Sequence, residues 1–208
     1  MWVVKLGGSL ATDETLPYWL DVLSCYGGGE VVIVPGGGPF SELVMKSQGF
    51  WNFDDSSAHR MALMAMGQYG VMMTGMRPDL EPVESLQDIQ KVLNRAGVPV
   101  WLPEHLLGKD HRVEHSWDVT SDSLAAWLAQ QLLASHLLLV KSVQLDNGVV
   151  QIGKLIDSGV VDAAFSRYAR EADCTVTVMS RYQYEFVPRL ITGSAPVGTQ
   201  VMGFEEAG

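Results

Sequence analysis

The segment Trp2-Val3-Val4-Lys5-Leu6-Gly7-Gly8-Ser9 joins an apolar run to a glycine turn, and this arrangement decides the fold. The run Trp2–Leu6 predicts a buried strand that ends beside a lysine. Glycine lets backbone N–H groups approach a ligand closely and adopts positive φ, so the turn suits an anion. A helix that follows the turn adds the positive end of its dipole. The segment therefore predicts a phosphate-binding turn at the end of a strand.

A second glycine turn, Gly36-Gly37-Gly38-Pro39, follows another apolar run over Val31–Pro35 and precedes a predicted helix. Its spacing almost matches the fingerprint of dinucleotide-binding oxidoreductases, but the third glycine is absent and Pro39 has no backbone donor. An NAD-binding oxidoreductase is therefore a disfavoured alternative. A Walker A sequence is absent from the chain, which excludes a P-loop NTPase. Two glycine turns, one of them with Lys5, favour a site for several phosphate groups and hence phosphoryl transfer.

Small polar and acidic residues gather at the start of the predicted helix Ser121–Ser135. Asp118 and Asp122 are four residues apart, so they share one side if both are helical. Helix capping needs only one residue of this kind. The surplus favours contacts with a substrate, made by Asp118 and Thr120, while Asp122 orients lysines.

Composition limits the choice of ligands. The chain of 208 residues fits one domain. Its net charge of −10 and pI near 4.8 argue against binding to nucleic acid or an anionic membrane, which requires clustered Lys and Arg. An acidic chain that binds phosphate must concentrate its few cations. Lys141 is a second candidate beside Lys5, because it ends an apolar run at the strand terminus where α/β proteins bind ligands.

The chain also carries the features of a cytoplasmic protein. Cys25 and Cys174 show neither metal-ligand spacing nor a disulfide framework, as expected of thiols in a reducing compartment. The first residues lack the apolar region of a signal peptide. The sequence contains no apolar stretch of about eighteen residues, which a bilayer span requires. We therefore expect a soluble, cytoplasmic protein.

Short apolar runs alternate with longer amphipathic segments, a pattern typical of an α/β fold with a mainly parallel sheet. The predicted strands are Trp2–Leu6, Glu30–Pro35, Val98–Leu102, Leu137–Val140, Thr175–Met179 and Thr199–Val201. The predicted helices are Leu16–Tyr26, Pro39–Gln48, Ser56–Gly75, Leu86–Ala96, Ser121–Ser135 and Val160–Glu171. The irregular segment Pro103–Trp117 is predicted to be a loop near the ligand.

Lys5-x-Gly7-Gly8-Ser9, Gly36-Gly37-Gly38-Pro39, Asp122 and the strand at Lys141, in this order, resemble the amino acid kinase family. The family includes acetylglutamate, aspartate, uridylate, carbamate and isopentenyl phosphate kinases. The resemblance implies an ATP-dependent kinase that uses Mg²⁺. It also implies a three-layer αβα sandwich around a mainly parallel eight-stranded sheet. Residues 1–114 would bind the acceptor and residues 115–208 would bind ATP, in a chain that forms homo-oligomers as its relatives commonly do.

The resemblance also implies roles for individual residues. Lys5 and Lys141 would stabilise the transferred phosphoryl group, and Asp122 would hold both lysines in place. The two turns would bind phosphate through Gly7, Gly8, Ser9, Gly36, Gly37 and Gly38.

A subgroup of short members resembles this chain in Trp117-Asp118-Val119-Thr120-Ser121-Asp122-Ser123 and the Ala-Ala-Trp helix that follows. These members act on aminomethylfuran phosphate in methanofuran biosynthesis, and related bacterial proteins accompany tetrahydromethanopterin-linked one-carbon metabolism. An acceptor that already carries a phosphate would suit His59 and Arg60, although a surface pair is an equal alternative.

One departure from the family opens another alternative. Many relatives place a second catalytic lysine before a helix that ends in Asp-Ala-Ala. Alignment on Asp162-Ala163-Ala164 puts Ile156 at that position, with Lys154 two residues earlier. Lys141 is the candidate to replace the missing lysine. A noncatalytic relative that binds a nucleotide or an oxyanion is the alternative.

The segment His111-Arg112-Val113-Glu114-His115 matches the inverted H-x-x-E-H spacing of a zinc-protease class. That motif requires a long amphipathic helix, and the flanking residues predict none. We interpret the segment as a solvated loop, and the sequence predicts no metal site formed by protein side chains.

Overall fold

The computed structural model describes residues 1–108, 113–193 and 197–204. Within these residues a single sheet contains β1 (Trp2–Leu6), β2 (Val31–Pro35), β3 (Leu80–Val83), β4 (Val98–Trp101), β5 (His136–Lys141), β6 (Gly148–Gln151), β7 (Thr175–Ser180) and β8 (Thr199–Met202). The strand order is β3-β4-β2-β1-β5-β7-β8-β6. Every neighbouring pair is parallel except β7 and β8. The predicted mainly parallel sheet is therefore confirmed.

The helices are α1 (Leu16–Tyr26), α2 (Gly38–Trp51), α3 (Asp55–Met76), α4 (Leu86–Asn94), α5 (Glu104–Leu107), α6 (Ser121–Leu132), α7 (Ile152–Asp157), α8 (Phe165–Ala172) and α9 (Val187–Ile191). Two short 3₁₀ turns cover Gly8–Thr12 and Tyr184–Phe186. None of the helices in the described part of the chain is both long and apolar enough to cross a bilayer.

Apolar side chains cover both faces of the sheet, because successive residues of a strand point to opposite sides. In β1, Val3 packs in the core beneath α4, α6 and α8, while Val4 packs in the core beneath α1 and α9. In β5, Leu137 and Leu139 belong to the first core and Leu138 to the second. Helices therefore cover the sheet on both sides, and the predicted three-layer αβα sandwich is confirmed.

The sequence patterns missed the least apolar elements. Strand β3 contains Glu81 and Pro82, and β6 is largely exposed, so neither has the continuous apolar run of a buried strand. The short helices α5, α7 and α9 also escaped prediction, and α5 lies in the segment expected to be a loop. The helix predicted from Val160 begins only at Phe165, because Asp162 hydrogen-bonds α6 instead.

Candidate active site

The strand register brings the glycine turns and Lys141 to one edge of the sheet. Leu6, the last residue of β1, lies opposite Pro35 of β2 and Val140 of β5. Because these strands are parallel, their carboxyl ends meet at the same edge, where α/β proteins bind ligands. We call Gly7–Ser9 the first glycine turn and Gly36–Gly38 the second.

Two lysines converge on one carboxylate at this edge. Lys5 Nζ lies 2.8 Å from Asp122 Oδ1, and Lys141 Nζ lies 2.6 Å from Asp122 Oδ2. The side chains of Lys5 and Asp122 are 4% and 5% exposed. Lys5 shares the orientation of Val3 on β1, so it faces α6, whose first turn contains Asp122. We call these three residues the lysine–aspartate cluster.

Burial and charge act against each other in the cluster. Burial raises the pKa of Asp122, but the ammonium groups of Lys5 and Lys141 outweigh it and keep the pKa below 3.8. Burial, together with the charge of Lys5, lowers the pKa of Lys141 from 10.5 to about 8, despite the opposing charge of Asp122. Two positive charges against one carboxylate leave a net positive charge in a nearly dry site, which attracts phosphate.

The two glycine turns touch each other through their backbones. A Cβ placed on Gly8 would overlap Gly38 N and lie 2.8 Å from Gly38 Cα. A Cβ on Gly36 would overlap Gly8 N and lie 2.9 Å from Gly8 Cα. Gly38 also has a φ of +57°, which a side chain would strain. Glycine is needed at these positions for packing, whether or not a ligand binds.

Not every glycine of the turns has a free donor. Gly7 N–H donates to Val140 O at 3.1 Å, and Gly36 N–H donates to Leu6 O at 2.9 Å. These two glycines therefore extend the sheet ladder, which no sequence pattern had indicated. The N–H groups of Gly8, Ser9, Gly37 and Gly38 lie at the helix starts, where the first N–H groups of a helix have no intrahelical acceptor, so they are the donors that a ligand could use. The side chain of Ser9 is exposed beside them.

A cavity of about 240 Å³ lies beside the second glycine turn, between α2, α3 and the segment that precedes α6. Gly37 and Ser121 line it, and Ser121 precedes Asp122 of the cluster. The other lining residues are mainly apolar: Met45, Ala62, Leu63, Met66, Trp117, Val119 and Leu124, with the polar Ser41, Asp55, His59, Ser116 and Thr120. The cavity can take a small, partly apolar molecule next to the cluster.

Comparison with known proteins agrees with this geometry, although no family model matches the chain. The (5-(aminomethyl)furan-3-yl)methyl phosphate kinase of Methanocaldococcus jannaschii is 25% identical over 99% of this chain and 100% of its own length. Uridylate kinase from Archaeoglobus fulgidus superposes with a TM-score of 0.74 at 17% identity, covering 97% of this chain and 99% of the other. The chain has the amino acid kinase fold. An isopentenyl phosphate kinase, solved as a substrate complex, covers 97% of this chain and 100% of its own, with a TM-score of 0.64 and 18% identity.

In this chain, a residue that is distant in sequence holds the start of α6 in place. Asp162 Oδ2 accepts hydrogen bonds from Thr120 N–H at 3.0 Å, Thr120 Oγ1 at 2.8 Å and Ser123 N–H at 3.0 Å. The side chain of Thr120 makes no cap bond of its own. Thr120 is the N-cap residue of α6, but the hydrogen bond that caps the helix comes from Asp162, outside the segment that carries Asp122.

The predicted acceptor contacts separate into two groups. Thr120 lines the cavity, with its hydroxyl bound to Asp162. Asp118 is exposed and outside the lining, and its carbonyl accepts from Ala164 N–H at 3.0 Å. Helix α6 starts at Ser121, so Asp118 and Asp122 do not share a helical face. Asp118 therefore reaches no cavity wall in this fold.

His59 and Arg60 point in different directions. His59 lines the cavity, is 6% exposed, and stacks on His115 with ring centroids 4.5 Å apart. Burial, with a smaller effect of the His115 charge, lowers the pKa of His59 to about 4. Arg60 is exposed, outside the lining, and its Nε lies 3.2 Å from Glu104 Oε1. The fold brings His59 to the cavity and leaves Arg60 outside it.

The structure describes the segment of Lys154 and Ile156 in full and the H-x-x-E-H match only in part. Ile156 packs against the core and Lys154 is exposed on α7. Residues His111 and Arg112 of the zinc-protease match lie outside the described residues. Across the described ranges, no group of three or more His, Cys, Asp or Glu side chains is arranged to hold a metal.

Three side chains at the cavity form a chain of hydrogen bonds that no sequence motif indicated. Trp117 Nε1–H donates to Gln48 Oε1 at 2.6 Å, and Gln48 Nε2–H donates to Asp55 Oδ1 at 2.8 Å. These residues come from three separate segments, so only the fold reveals their contact. The sole signal in the sequence was Trp117 itself, a large side chain with a polar N–H beside the acidic start of α6.

Proposed function

We propose that this chain is an ATP-dependent kinase that transfers the γ-phosphoryl group to a small acceptor that already carries a phosphate. The observation that carries the proposal is the convergence of Lys5 and Lys141 on Asp122, at 2.8 and 2.6 Å, beside two glycine turns. Phosphoryl transfer depends mainly on positioning and on fixed positive charge. The cluster supplies both in a site from which water is largely excluded.

The relatives support both the reaction and the acceptor class. The Methanocaldococcus jannaschii relative that matches over its full length is a kinase of an aminomethylfuran phosphate. The structural neighbours are uridylate and isopentenyl phosphate kinases, whose names also specify phosphorylated acceptors. The proposed acceptor is aminomethylfuran phosphate or a close analogue, in the biosynthesis of a methanofuran-type one-carbon cofactor.

The proposed reaction joins two phosphates. An oxygen of the acceptor phosphate attacks the γ-phosphorus of ATP, the bond to the β-γ bridging oxygen breaks, and ADP leaves with those electrons. Lys5 and Lys141 stabilise the charge on the transferred group, and Asp122 fixes the two ammonium groups. N–H groups of Gly8, Ser9, Gly37 and Gly38 hold phosphate oxygens. A covalent enzyme intermediate is not required.

ATP enters as its Mg²⁺ complex and is proposed to occupy the half formed by residues 115–208. The residues of the site do not fit a protein-held Mg²⁺, because each oxygen of Asp122 is paired with a lysine. The other described residues offer no group of three or more metal-binding side chains. The ion is therefore proposed to travel with the nucleotide phosphates.

The acceptor is proposed to bind in the 240 Å³ cavity, which lies between the half formed by residues 1–114 and the first residues of the other half, Ser116 to Leu124. Its phosphate would lie near Gly37 and Ser121, where the cavity approaches the cluster. The ring of the acceptor would contact Met66 and Trp117, which line the cavity. His59 offers a neutral imidazole to the acceptor at pH 7, since its pKa is about 4.

The test is ADP release with Mg-ATP and a panel of acceptors: aminomethylfuran phosphate, isopentenyl phosphate, UMP, acetylglutamate, aspartate and carbamate. We expect turnover with aminomethylfuran phosphate, a diphosphate product by ³¹P NMR, and turnover lowered by about 10³-fold or more in the Lys5→Ala variant. ATP binding without turnover on any acceptor would instead support the noncatalytic alternative, which the exposed position of Lys154 and the isoleucine at 156 motivate. Failure to bind ATP would overturn both the kinase and a noncatalytic nucleotide-binding protein.

A further inference from the structure

The charge of the cavity does not suit an acceptor that is only an anion. Asp55 is the one carboxylate among the described residues that line the cavity, and that lining contains no lysine or arginine. His59 adds no positive charge at pH 7, because its pKa is about 4. A purely anionic molecule would therefore meet a negative charge inside the cavity. A molecule with a positive group near Asp55 would be attracted by the carboxylate.

Asp55 is held in place for such a contact. The indole N–H of Trp117 occupies Gln48 Oε1, which directs the amide N–H groups of Gln48 to Asp55 Oδ1 at 2.8 Å and Phe53 O at 3.2 Å. The second oxygen, Asp55 Oδ2, has no hydrogen-bond partner among the described residues, and the side chain is exposed. The carboxylate is thus fixed through one oxygen and available through the other.

The position of Asp55 sets the distance between the two ends of the acceptor. Gln48, which binds Asp55, lies near the carboxyl end of α2, whereas Gly37 precedes its first residue. Gln48, and with it Asp55, therefore lies about three turns of α2 from Gly37, towards the other end of the cavity. A phosphate at Gly37 and a positive group at Asp55 would therefore occupy opposite ends of one small molecule.

We propose that Asp55 and Trp117 bind a protonated amine of the acceptor, so that the kinase selects phosphate esters with an ammonium group remote from the phosphate. A carboxylate beside an aromatic ring is a common arrangement for recognising an ammonium ion, through a charge-assisted hydrogen bond and a cation–π contact. This inference rests on the proposed function, and it makes Asp55 a specificity-determining residue.

The test compares two acceptors that differ in one group. The ratio of kcat/KM for (5-(aminomethyl)furan-3-yl)methyl phosphate to kcat/KM for its hydroxymethyl analogue is measured in the wild type and in Asp55→Asn. The variant keeps the shape of the side chain and an oxygen for Gln48. We expect the wild type to prefer the amine and Asp55→Asn to lower the ratio by about tenfold or more, as loss of a hydrogen bond to a charged group implies.

Asp54→Asn is the matched control. Asp54 precedes Asp55, caps α3 by accepting from Ser57 N–H at 2.8 Å, and lies outside the cavity lining. Asparagine caps a helix as well as aspartate, so the variant removes the same charge near the same helix end. We expect its ratio to equal that of the wild type. An equal loss in both variants, or an unchanged ratio in Asp55→Asn, overturns the inference.

Calorimetric binding of the same two acceptors separates this inference from the proposed function. If the wild type turns over neither molecule, the proposed function fails. A tighter binding of the amine that Asp55→Asn removes would then still support the inference. Equal binding of both acceptors by the wild type and by Asp55→Asn would overturn it.

Discussion

The lysine–aspartate cluster and the cavity lie side by side, joined at Ser121 and Asp122, yet they differ in almost every physical respect. The cluster is dry, charged and fixed by the sheet register, with Lys5 and Asp122 about 4–5% exposed. The cavity is mainly apolar, and helices and a loop segment form its walls. Under the proposed function, we expect charge and position to set the rate at the cluster, and packing with a few polar contacts to set acceptor selection in the cavity.

Removal of Lys5 should have the largest effect on activity, because it takes away one of the two positive charges of the cluster. We expect Lys5→Ala to lower kcat by about 10³-fold or more, as loss of a group that stabilises transferred phosphoryl charge implies. Asp122 keeps Lys141 as a partner at 2.6 Å, so the fold should survive. The measurements are ADP release at saturating substrates and thermal unfolding.

Lys91→Ala is the control for this prediction. Lys91 lies on α4 with 68% of its side chain exposed, and its Nζ lies 2.8 Å from Asp88. Its removal should leave kcat unchanged, since an exposed ion pair contributes little. Turnover of Lys5→Ala at the wild-type rate would mean that the cluster is structural only.

A pair of glycine substitutions tests the contact between the two turns. A Cβ on Gly8 would overlap Gly38 N, so Gly8→Ala should force the turns apart and lower the free energy of unfolding by about 1–3 kcal/mol. A Cβ on Gly49, within α2, would have no atom within 4 Å, so Gly49→Ala should raise that free energy by about 0.5–1 kcal/mol. Urea denaturation measures both values. Equal stability of the two variants would show that the turns do not pack as described.

The cluster could be predicted from the sequence to a greater extent than the cavity. Lys5 and Lys141 each end an apolar run, and strand alternation with a parallel sheet leaves little choice about where they point. Asp122 required the family resemblance as well, because its contact with the lysines joins segments far apart in the chain. The hydrogen-bonded residues Gln48, Asp55 and Trp117 had no local sequence pattern, because their three segments meet only in the folded protein.

Asp118 and Asp162 show what the local sequence could not decide about the polar residues at the start of α6. Several side chains near Thr120 suit a helix cap, and a local preference cannot choose among them. The fold brings in Asp162 from 42 residues away, and its carboxylate accepts from Thr120 N–H and Ser123 N–H. Asp118 then lies outside both the helix and the cavity. Tertiary contacts had overridden local capping preference.

The pH dependence of activity sharpens the role assigned to Lys141. Its pKa is about 8 in the folded protein against 10.5 ordinarily, so its positive charge is lost as pH rises through 8. We expect kcat/KM for ATP to fall about tenfold per pH unit above that value. The free energy of unfolding should not fall over the same pH range. Between about pH 8 and 10.5 the unfolded chain binds more protons than the folded one, so the free energy of unfolding rises with pH.

The pH dependence of kcat/KM for ATP in Lys141→Arg is the control for the wild-type profile. An arginine stays charged throughout this range, so any activity that the variant retains should show no decline near pH 8. A decline that persists unchanged in Lys141→Arg would assign the titration to another group. The measurements are kcat/KM for ATP and urea denaturation between pH 6.5 and 9.5.

The last prediction concerns His59, which reports on the cavity rather than on the cluster. Its pKa of about 4 lies below the ordinary 6.5, so between these values the unfolded chain binds more protons than the folded one. The free energy of unfolding should therefore fall as pH drops from 7 to 5, by about 2 kcal/mol from this residue. His59→Leu should lose that part of the pH dependence, while a substitution at His105, which is 70% exposed, should retain it. Urea denaturation at both pH values gives the comparison. An identical pH dependence in His59→Leu and the wild type would contradict this prediction. It would mean that His59 binds protons equally in the folded and unfolded states, and therefore that its imidazole is not buried at the cavity.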